Sequence, residues 1–314
     1  MLYIFSNELD VSTQNLTLWL RRLEKEFYVI YTEKKLTELC LKLSSEKHIL
    51  SLKVEDDHLE IDLEKDRFFY RRGKFTLNVT LDHFQQDWIG NFLRNEKATI
   101  QQFLDIVFLK YSKIETKQEL NKLNVLKLAS DTGLQIPNTL VATSKKELLK
   151  FYEENSKRII IKPLYEGLNI RYKTGFLKTY TSKLSIDDIN QLPEQFFPVL
   201  TQMEINKYLE VRSFYLKEDI YSMAIFSQQN KMTSTDFRNY DQKRPLKTSI
   251  FQLPSDIEEK IRVIFQKLDI DTGSVDLCFS KDKQFYFLEI NPVGQYGMLD
   301  LCNYHLDKKI AEII

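Results

Sequence analysis

Three groups of residues in this chain have types and spacings suited to chemistry. The first lies near the C-terminus, where Asp276 sits in S-V-D-L-C-F and Glu289 and Asn291 sit in F-L-E-I-N-P. Side chains alternate faces along a strand, so Glu289 and Asn291 share one face. Asp276 joins them if the two runs pair across K-D-K-Q (281–284). Two carboxylates and an amide oxygen on one sheet surface make an all-oxygen site for a hard cation. Mg²⁺ takes a few such ligands and completes its shell with water and substrate phosphates. The plainer reading is a solvated strand face, or acids paired with Lys and Arg. Both acids lie inside strongly apolar strands, where an uncompensated charge is costly, and this favours the metal.

The second group is a lysine pair. Lys162 closes the run I-I-I-K ahead of Pro163, and Lys122 lies in N-K-L-N-V-L-K-L-A beside Leu123, Leu126 and Ala129. An ammonium group suits phosphate as a point charge. Each lysine alone is a weak signal; beside a cation site they become informative. The third group is T-Q-M-E-I-N-K-Y-L-E-V-R-S-F (201–214), in which a strand carries Gln202 and Glu204 into a short connection. A new strand then opens with Glu210 and Arg212 on one face. Arg212 suits a phosphate and Glu210 a ribose hydroxyl, whereas taken alone the two read as an ion pair.

These groups need a mixed α/β frame. Leu2 to Phe5 read as an opening strand, Leu16, Leu20, Leu23 and Phe27 recur at helical spacing, and Tyr28 to Tyr31 form a second strand. Leu59, Ile61 and Leu63 alternate with acidic residues as a strand with one wet face. Residues 81–111 have helical periodicity, broken near Asn95. R-F-F-Y-R-R-G-K-F (67–75) reads as a strand with solvated arginine heads whose stems cover apolar surface. A contact for an acidic peptide or phosphate is its sharper reading. Beyond residue 115 a helix over 117–132 ends at Gly133, and Ser144 with Glu147 opens a capped helix. Ser255 with Glu258 does the same over 256–268. Strands are predicted at 137–143, 158–163, 174–181, 198–203, 211–217, 220–227, 273–280 and 285–291.

Composition excludes several classes. The 314 residues, 43% apolar, suffice for about two domains. Forty-five acidic and 45 basic side chains leave no global field to draw the chain to nucleic acid or to an anionic membrane. The eight glycines contain no GxG and no GxxxxGK[ST], which excludes the dinucleotide fingerprint and the P-loop. Cys40, Cys278 and Cys302 are isolated thiols that suit a reducing compartment. The start lacks a signal-peptide pattern, and no apolar stretch reaches the ~18 residues of a membrane span, so a cytoplasmic soluble protein is expected.

The ordered set N-K-x-x-x-L, G-L-x-I-P-x-T, I-I-K-P, Q-x-E-I, E-V-R, V-D-L and L-E-I-N-P resembles the ATP-grasp ligases over about 115–295. L-E-I-N-P-V-G-Q-Y-G-M (288–298), C-N-Y (302–304), R-R-G (71–73) and F-Q-L-P (251–254) narrow it. With these the chain is similar to graspetide synthetases, macrocyclases of ribosomally made peptides, of the grasp-with-spasm type. The resemblance implies an α/β (α+β) ATP-grasp fold. A pre-ATP-grasp-like domain would span 1–116, a central lobe 117–203 and a C-terminal lobe with the metal site 204–314, with ATP clasped between the lobes. It further implies that Lys122 and Lys162 contact the ATP phosphates, that Gln202, Met203, Glu204 and Ile205 form the adenine hinge, and that Glu210 holds the ribose. Arg212 would face the transferring phosphate, and Asp276, Glu289 and Asn291 would hold two Mg²⁺. Asp236 and Arg238 in T-D-F-R match an Asp-x-Arg element that engages the acidic core of the precursor. Two features depart from the pattern. K-P-L-Y-E-G-L-N-I holds only Gly167 where a glycine-rich lid is common, and Met203 stands where an acidic hinge residue is frequent.

The implied activity is ATP-dependent macrocyclisation of a precursor peptide with a leader and an acidic, Thr-rich core. Asp or Glu side chains would be activated as acyl phosphates and joined to Thr or Ser hydroxyls as esters, or to Lys amines as amides. The 170–185 and 67–75 segments are candidate leader surfaces, and a homodimer is a family-level expectation. An intermolecular carboxylate–amine ligase and a catalytically silent ATP-binding regulator stand as alternatives.

Overall fold

A computed structural model describes residues 1–73, 88–110, 112–165, 167, 169–172, 175–179, 181–227 and 247–314. The chain forms two compact units. One comprises Met1–Glu119, Asp269–Gly273 and Pro292–Ile314, the other Leu120–Leu268 and Ser274–Asn291.

In the first unit, L-Y-I-F-S is apolar on both faces, as a central parallel strand requires. β1 (Leu2–Ser6) is buried throughout and pairs in parallel with β2 (Phe27–Tyr31) and β6 (Arg67–Tyr70). The crossover helix α1 (Val11–Arg22) buries Leu16 and Leu20. It ends before Phe27, contrary to the helical spacing read there. Leu23 is its C-cap, Glu24 turns left-handed at φ 55°, and the aromatic, β-branched run from Phe27 goes to the sheet. An antiparallel sheet of β3 (Leu36–Leu43), β4 (His48–Val54) and β5 (Asp57–Asp62) follows. The sequence reading omitted β3 and β4, although Leu50, Leu52 and Val54 alternate with Ser51 and Lys53 and are the buried positions of β4.

α2 (Trp88–Lys110) runs without the break expected near Asn95 and brings Phe108 against Phe5, ring centroids 4.0 Å apart. Phe5, Leu50, Ile61, Phe68 and Phe108 share one core. The C-terminal segment adds a 3₁₀ helix (Gly297–Cys302) and the last α-helix, Leu306–Ile313, which packs on α1. Lys25 Nζ donates to the carbonyls of Ala311, Glu312 and Ile314 at 2.8, 3.1 and 3.0 Å and so closes that helix end. The expectation of solvated arginine heads fails at Arg71, which is 2% exposed and held by Asp10.

In the second unit, α3 (Lys122–Asp131) starts after Asn121, not at 117, because the Asn121 side chain accepts the N–H groups of Leu123 and Asn124. It ends at Gly133 as expected. There φ is 80°, the Gly133 N–H donates to Ser130 at 2.9 Å and the Leu134 N–H to Ala129 at 3.0 Å.

A four-stranded sheet has the order β11 (Ser182–Leu184), β8 (Ile159–Lys162), β12 (Gln195–Met203), β7 (Thr139–Ser144). It packs on α4 (Lys145–Glu154) and α5 (Ile186–Gln191) through Leu148, Phe151, Ile159 and Ile189. Ser144 caps α4, accepting the Glu147 N–H. β9 (Asn169–Tyr172) and β10 (Gly175–Lys178) form a separate hairpin.

A five-stranded sheet has the order β15 (Thr248–Phe251), β14 (Asp219–Ile225), β13 (Lys207–Leu216), β16 (Thr272–Ser280), β17 (Phe285–Asn291). α6 (Ser255–Leu268) stacks Phe265 on Tyr215 at 4.0 Å. Its expected capping box is replaced by Pro254, whose carbonyl takes the N–H groups of Ile257 and Glu258. β16 and β17 pair antiparallel across the predicted turn, with Asp276 opposite Glu289 and Ser274 opposite Asn291.

Candidate active site

Within the second unit, the start of α3, the end of β8, the β12–β13 connection and the β16–β17 pair surround a cavity of about 260 Å³. Lys122, Lys162, Gln202, Met203, Glu204, Ile205, Glu210, Asp276 and Glu289 all line it. Residues chosen from separate stretches of sequence therefore meet in one place. Arg212 joins the site through Asp276 rather than lining the cavity. Asn291, at the exposed end of β17, keeps the register face of Glu289 but is not among the lining residues described. Asp236 and Arg238 lie outside the described residues.

At the mouth, Lys122 Nζ donates to the Tyr165 carbonyl at 2.6 Å and to the Pro163 carbonyl at 3.4 Å, which ties α3 to the segment after β8. Lys162 stands at the end of β8 opposite Leu200 of β12. Near the end of β12, Gln202 is 1% exposed. Its amide donates to Thr139 Oγ1 at 3.0 Å, while its carbonyl oxygen has no partner among the described residues. Gln202 also lines the cavity, and an orphaned buried acceptor there suits a guest that donates, as the amino group of a nucleobase does.

Glu204 is gripped by Lys183 at 2.7 Å and Arg158 at 3.3 Å. Burial raises its pKa, but the bond and charge of Lys183, together with Arg158, overcome this and hold it below the usual carboxylate value. Glu210 is buried, and both of its bonds end on Oε1, from Lys207 at 2.9 Å and from Ser227 at 2.8 Å. Cys278 also lines the cavity, as a neutral thiol pushed up to about 12 by burial.

The Glu210–Arg212 ion pair does not form. Arg212 instead forks onto Asp276, Nε to Oδ1 and Nη2 to Oδ2, each at 2.8 Å, and Glu210 takes Lys207. Sequence reasoning missed Arg158, Lys183, Lys207 and Ser227. Lys207, three residues before Glu210, carried the only local signal, and Lys183 reaches the site through the β11–β8 pairing alone.

The donor set fits a hard cation. Asp276 and Glu289 oppose each other on adjacent strands and both line the cavity. A carboxylate has about four acceptor sites, so two bonds from Arg212 leave Asp276 able to ligate. Among the described residues no three His, Cys, Asp or Glu side chains converge on one ion. Two carboxylates with an amide, completed by phosphate oxygens, suit Mg²⁺ better than a metal that needs an all-protein cage.

The two-sheet frame around this cavity is the ATP-grasp fold, and solved ATP-grasp ligases superpose on the chain from end to end. A RiPP-associated ATP-grasp ligase from Chryseobacterium gregarium, in complex with ADP and a leader and core peptide, is 21% identical with a TM-score of 0.77, covering 100% of this chain and 94% of that one. Macrocyclase MdnC from Microcystis aeruginosa, bound with precursor peptide MdnA, is 24% identical with a TM-score of 0.76, covering 100% and 98%. ATP-grasp ligase PsnB, complexed with minimal precursor, Mg and ADP, is 16% identical with a TM-score of 0.67, covering 99% and 96%. No protein-family model and no curated protein matches the chain. Among the described residues no helix is long and apolar enough to cross a membrane.

Proposed function

We propose that this chain is an ATP-dependent macrocyclase of a ribosomally made precursor peptide. The observation that carries the reading is the opposed pair Asp276–Glu289 on the wall of a cavity that also holds Lys122, Lys162 and the Gln202–Ile205 hinge. Its fold likeness to peptide-bound ATP-grasp ligases supplies the substrate class.

The hinge would hold the adenine, and Glu210, with both protein bonds on one oxygen, would offer the other to the ribose. Lys122 and Lys162 would neutralise the phosphates, leaving the γ-phosphate exposed to a peptide carboxylate. A free carboxylate is a poor electrophile; attack on the γ-phosphate would yield an acyl phosphate and ADP. A Thr or Ser hydroxyl, or a Lys amine, of the same peptide would then displace phosphate. Phosphoryl transfer asks the protein chiefly for alignment and charge neutralisation, which is what this site is built to supply. Asp276, Glu289 and Asn291 would hold two Mg²⁺, whose bound charge offsets that developing on the phosphates.

Asp236 and Arg238 are assigned to the core peptide. Arg238 would bind its carboxylate, and Asp236 would orient that arginine or accept the nucleophile's proton. The leader would raise the effective concentration of the core. The strands β7, β8, β11 and β12 fall within 117–203, which supports a central lobe there; β13 to β17 fall within 204–314. A cytoplasmic homodimer belongs to the same proposal, tested by light scattering.

Incubation with ATP, Mg²⁺ and an acidic, Thr-rich precursor should remove one water per ring from the peptide mass. Glu289→Gln should abolish precursor-dependent ADP release with the circular dichroism spectrum unchanged. Addition of an amino acid mass instead would assign intermolecular ligation, and wild-type turnover in the variant would remove the metal assignment.

A further inference from the structure

We propose that Arg212 is a positioning residue for Asp276, acting on the cation through that carboxylate rather than touching the transferred phosphate. The inference rests on the metal-site reading above.

Three observations carry it. Arg212 and Asp276 are 64 residues apart in the chain but on neighbouring strands, β13 and β16, and meet in two parallel bonds of 2.8 Å. Fork-to-fork pairing of this kind sets the plane of the carboxylate as well as its position. Both side chains are largely enclosed, at 7% and 14% exposure, so solvent does little to loosen the fork. Finally, Asp276 lines the cavity, whereas Arg212 is not among the described lining residues. The guanidinium therefore reaches the cavity wall through the carboxylate it holds.

The arrangement answers a problem that the register creates. Like charges directly opposite on paired strands repel, and Asp276 stands opposite Glu289. A fixed guanidinium bonded to Asp276 offsets that repulsion and holds its carboxylate in place before any cation arrives. Its two bonds occupy one acceptor site on each oxygen and leave the others directed elsewhere. Groups that orient a ligand in this way commonly affect metal affinity by about 10–100-fold. Lysine cannot substitute, since a point charge with rotating donors does not fix a carboxylate plane.

Mn²⁺ binding to the full chain, followed by electron paramagnetic resonance, tests this. Arg212→Met and Arg212→Lys should each weaken Mn²⁺ binding by about 10–100-fold. Affinity for a fluorescent ATP analogue without divalent cation should stay within about twofold, since no phosphate contact is lost. In an Asp276→Asn background, already weak for Mn²⁺, Arg212→Lys should add no further loss; this arm still decides the matter if Arg212→Met fails to fold. Unchanged or tighter Mn²⁺ binding in Arg212→Lys, with a fall in metal-free nucleotide affinity, would overturn the proposal and return Arg212 to the phosphate. Glu289→Gln is the control for the underlying site. If it leaves Mn²⁺ binding intact, the metal reading fails whatever Arg212 does.

Discussion

Two arginine–aspartate pairs in this molecule have the same composition and different surroundings. In the first unit Arg71 Nε lies 3.2 Å from Asp10, its Nη1 donates to the Val293 carbonyl at 2.8 Å, and its guanidinium lies 5.1 Å from the Tyr296 ring centre. The side chains of that pair are 2% and 9% exposed, so protein surrounds both partners. In the second unit Arg212 gives two bonds to Asp276, whose other side is open to a cavity. Arg71 thus fastens segments far apart in the chain, Asp10 near one end and Val293 near the other. In the proposed reading, Arg212 prepares an acid for a guest. Enclosure on every side turns an ion pair into structure, and one open side leaves acceptor sites for chemistry.

The comparison breaks most readily at Arg71. Arg71→Met leaves the buried Asp10 with Arg72 alone, 3.6 Å away and partly exposed, and loss of one partner from a buried pair costs about 3–5 kcal/mol. Urea denaturation should register that loss whether or not Mg²⁺ is present. Arg212→Met should cost less, about 1–3 kcal/mol, because Asp276 can be wetted from the cavity. Added Mg²⁺ should raise the melting temperature of the wild type more than that of Arg212→Met, and should leave the Arg71→Met deficit untouched. Equal stability losses in the two variants would erase the distinction.

A smaller effect belongs to Asp307, which faces Tyr296, Asn15, Asp300 and Arg71. Burial chiefly, with Asp300 adding to it, pushes Asp307 up to about 6 against the opposing influence of Tyr296, Asn15 and Arg71. A carboxyl whose folded pKa lies above its unfolded value of about 3.9 binds its proton more tightly when folded. Its contribution to stability is therefore greatest below about pH 4, falls as pH rises to about 6, and is level above. Asp307→Asn should flatten that part of the melting-temperature profile. An unchanged slope would show that Asp307 does not cause it.

The smallest effect is expected at Ser227→Ala, which removes one bond to Glu210, worth about 0.5–1.5 kcal/mol, while Lys207 keeps its own. Nucleotide affinity should fall by about twofold to tenfold and the melting temperature by a few degrees at most. A variant with wild-type nucleotide affinity would remove Ser227 from the support of Glu210.

Much of the site was legible because its signals are local. Asp276, Glu289 and Asn291 were read as one face from alternation and a four-residue turn, and the observed register agrees. Lys162 was recognisable from the apolar run it closes, whereas the Gln202–Ile205 hinge came from the family resemblance rather than from the residues themselves. Errors gathered where a neighbour distant in sequence decides. The arginines of 67–75 were read as solvated because a basic strand edge usually is. Arg71 is buried because Asp10 and Tyr296, from elsewhere in the chain, close over it. The Glu210–Arg212 pair failed for the same reason, since each residue found a better-oriented partner.

The sequence by itself determined which residues carry charge inside apolar strands, which of them share a face, and where helices such as α3 stop, because alternation, capping and glycine at positive φ act over a few residues. Only the tertiary structure decided which cation meets which acid. That choice depends on the strand order that sets β13 beside β16 and β11 beside β8, and strand order results from burying whole faces together rather than from any short run of residues.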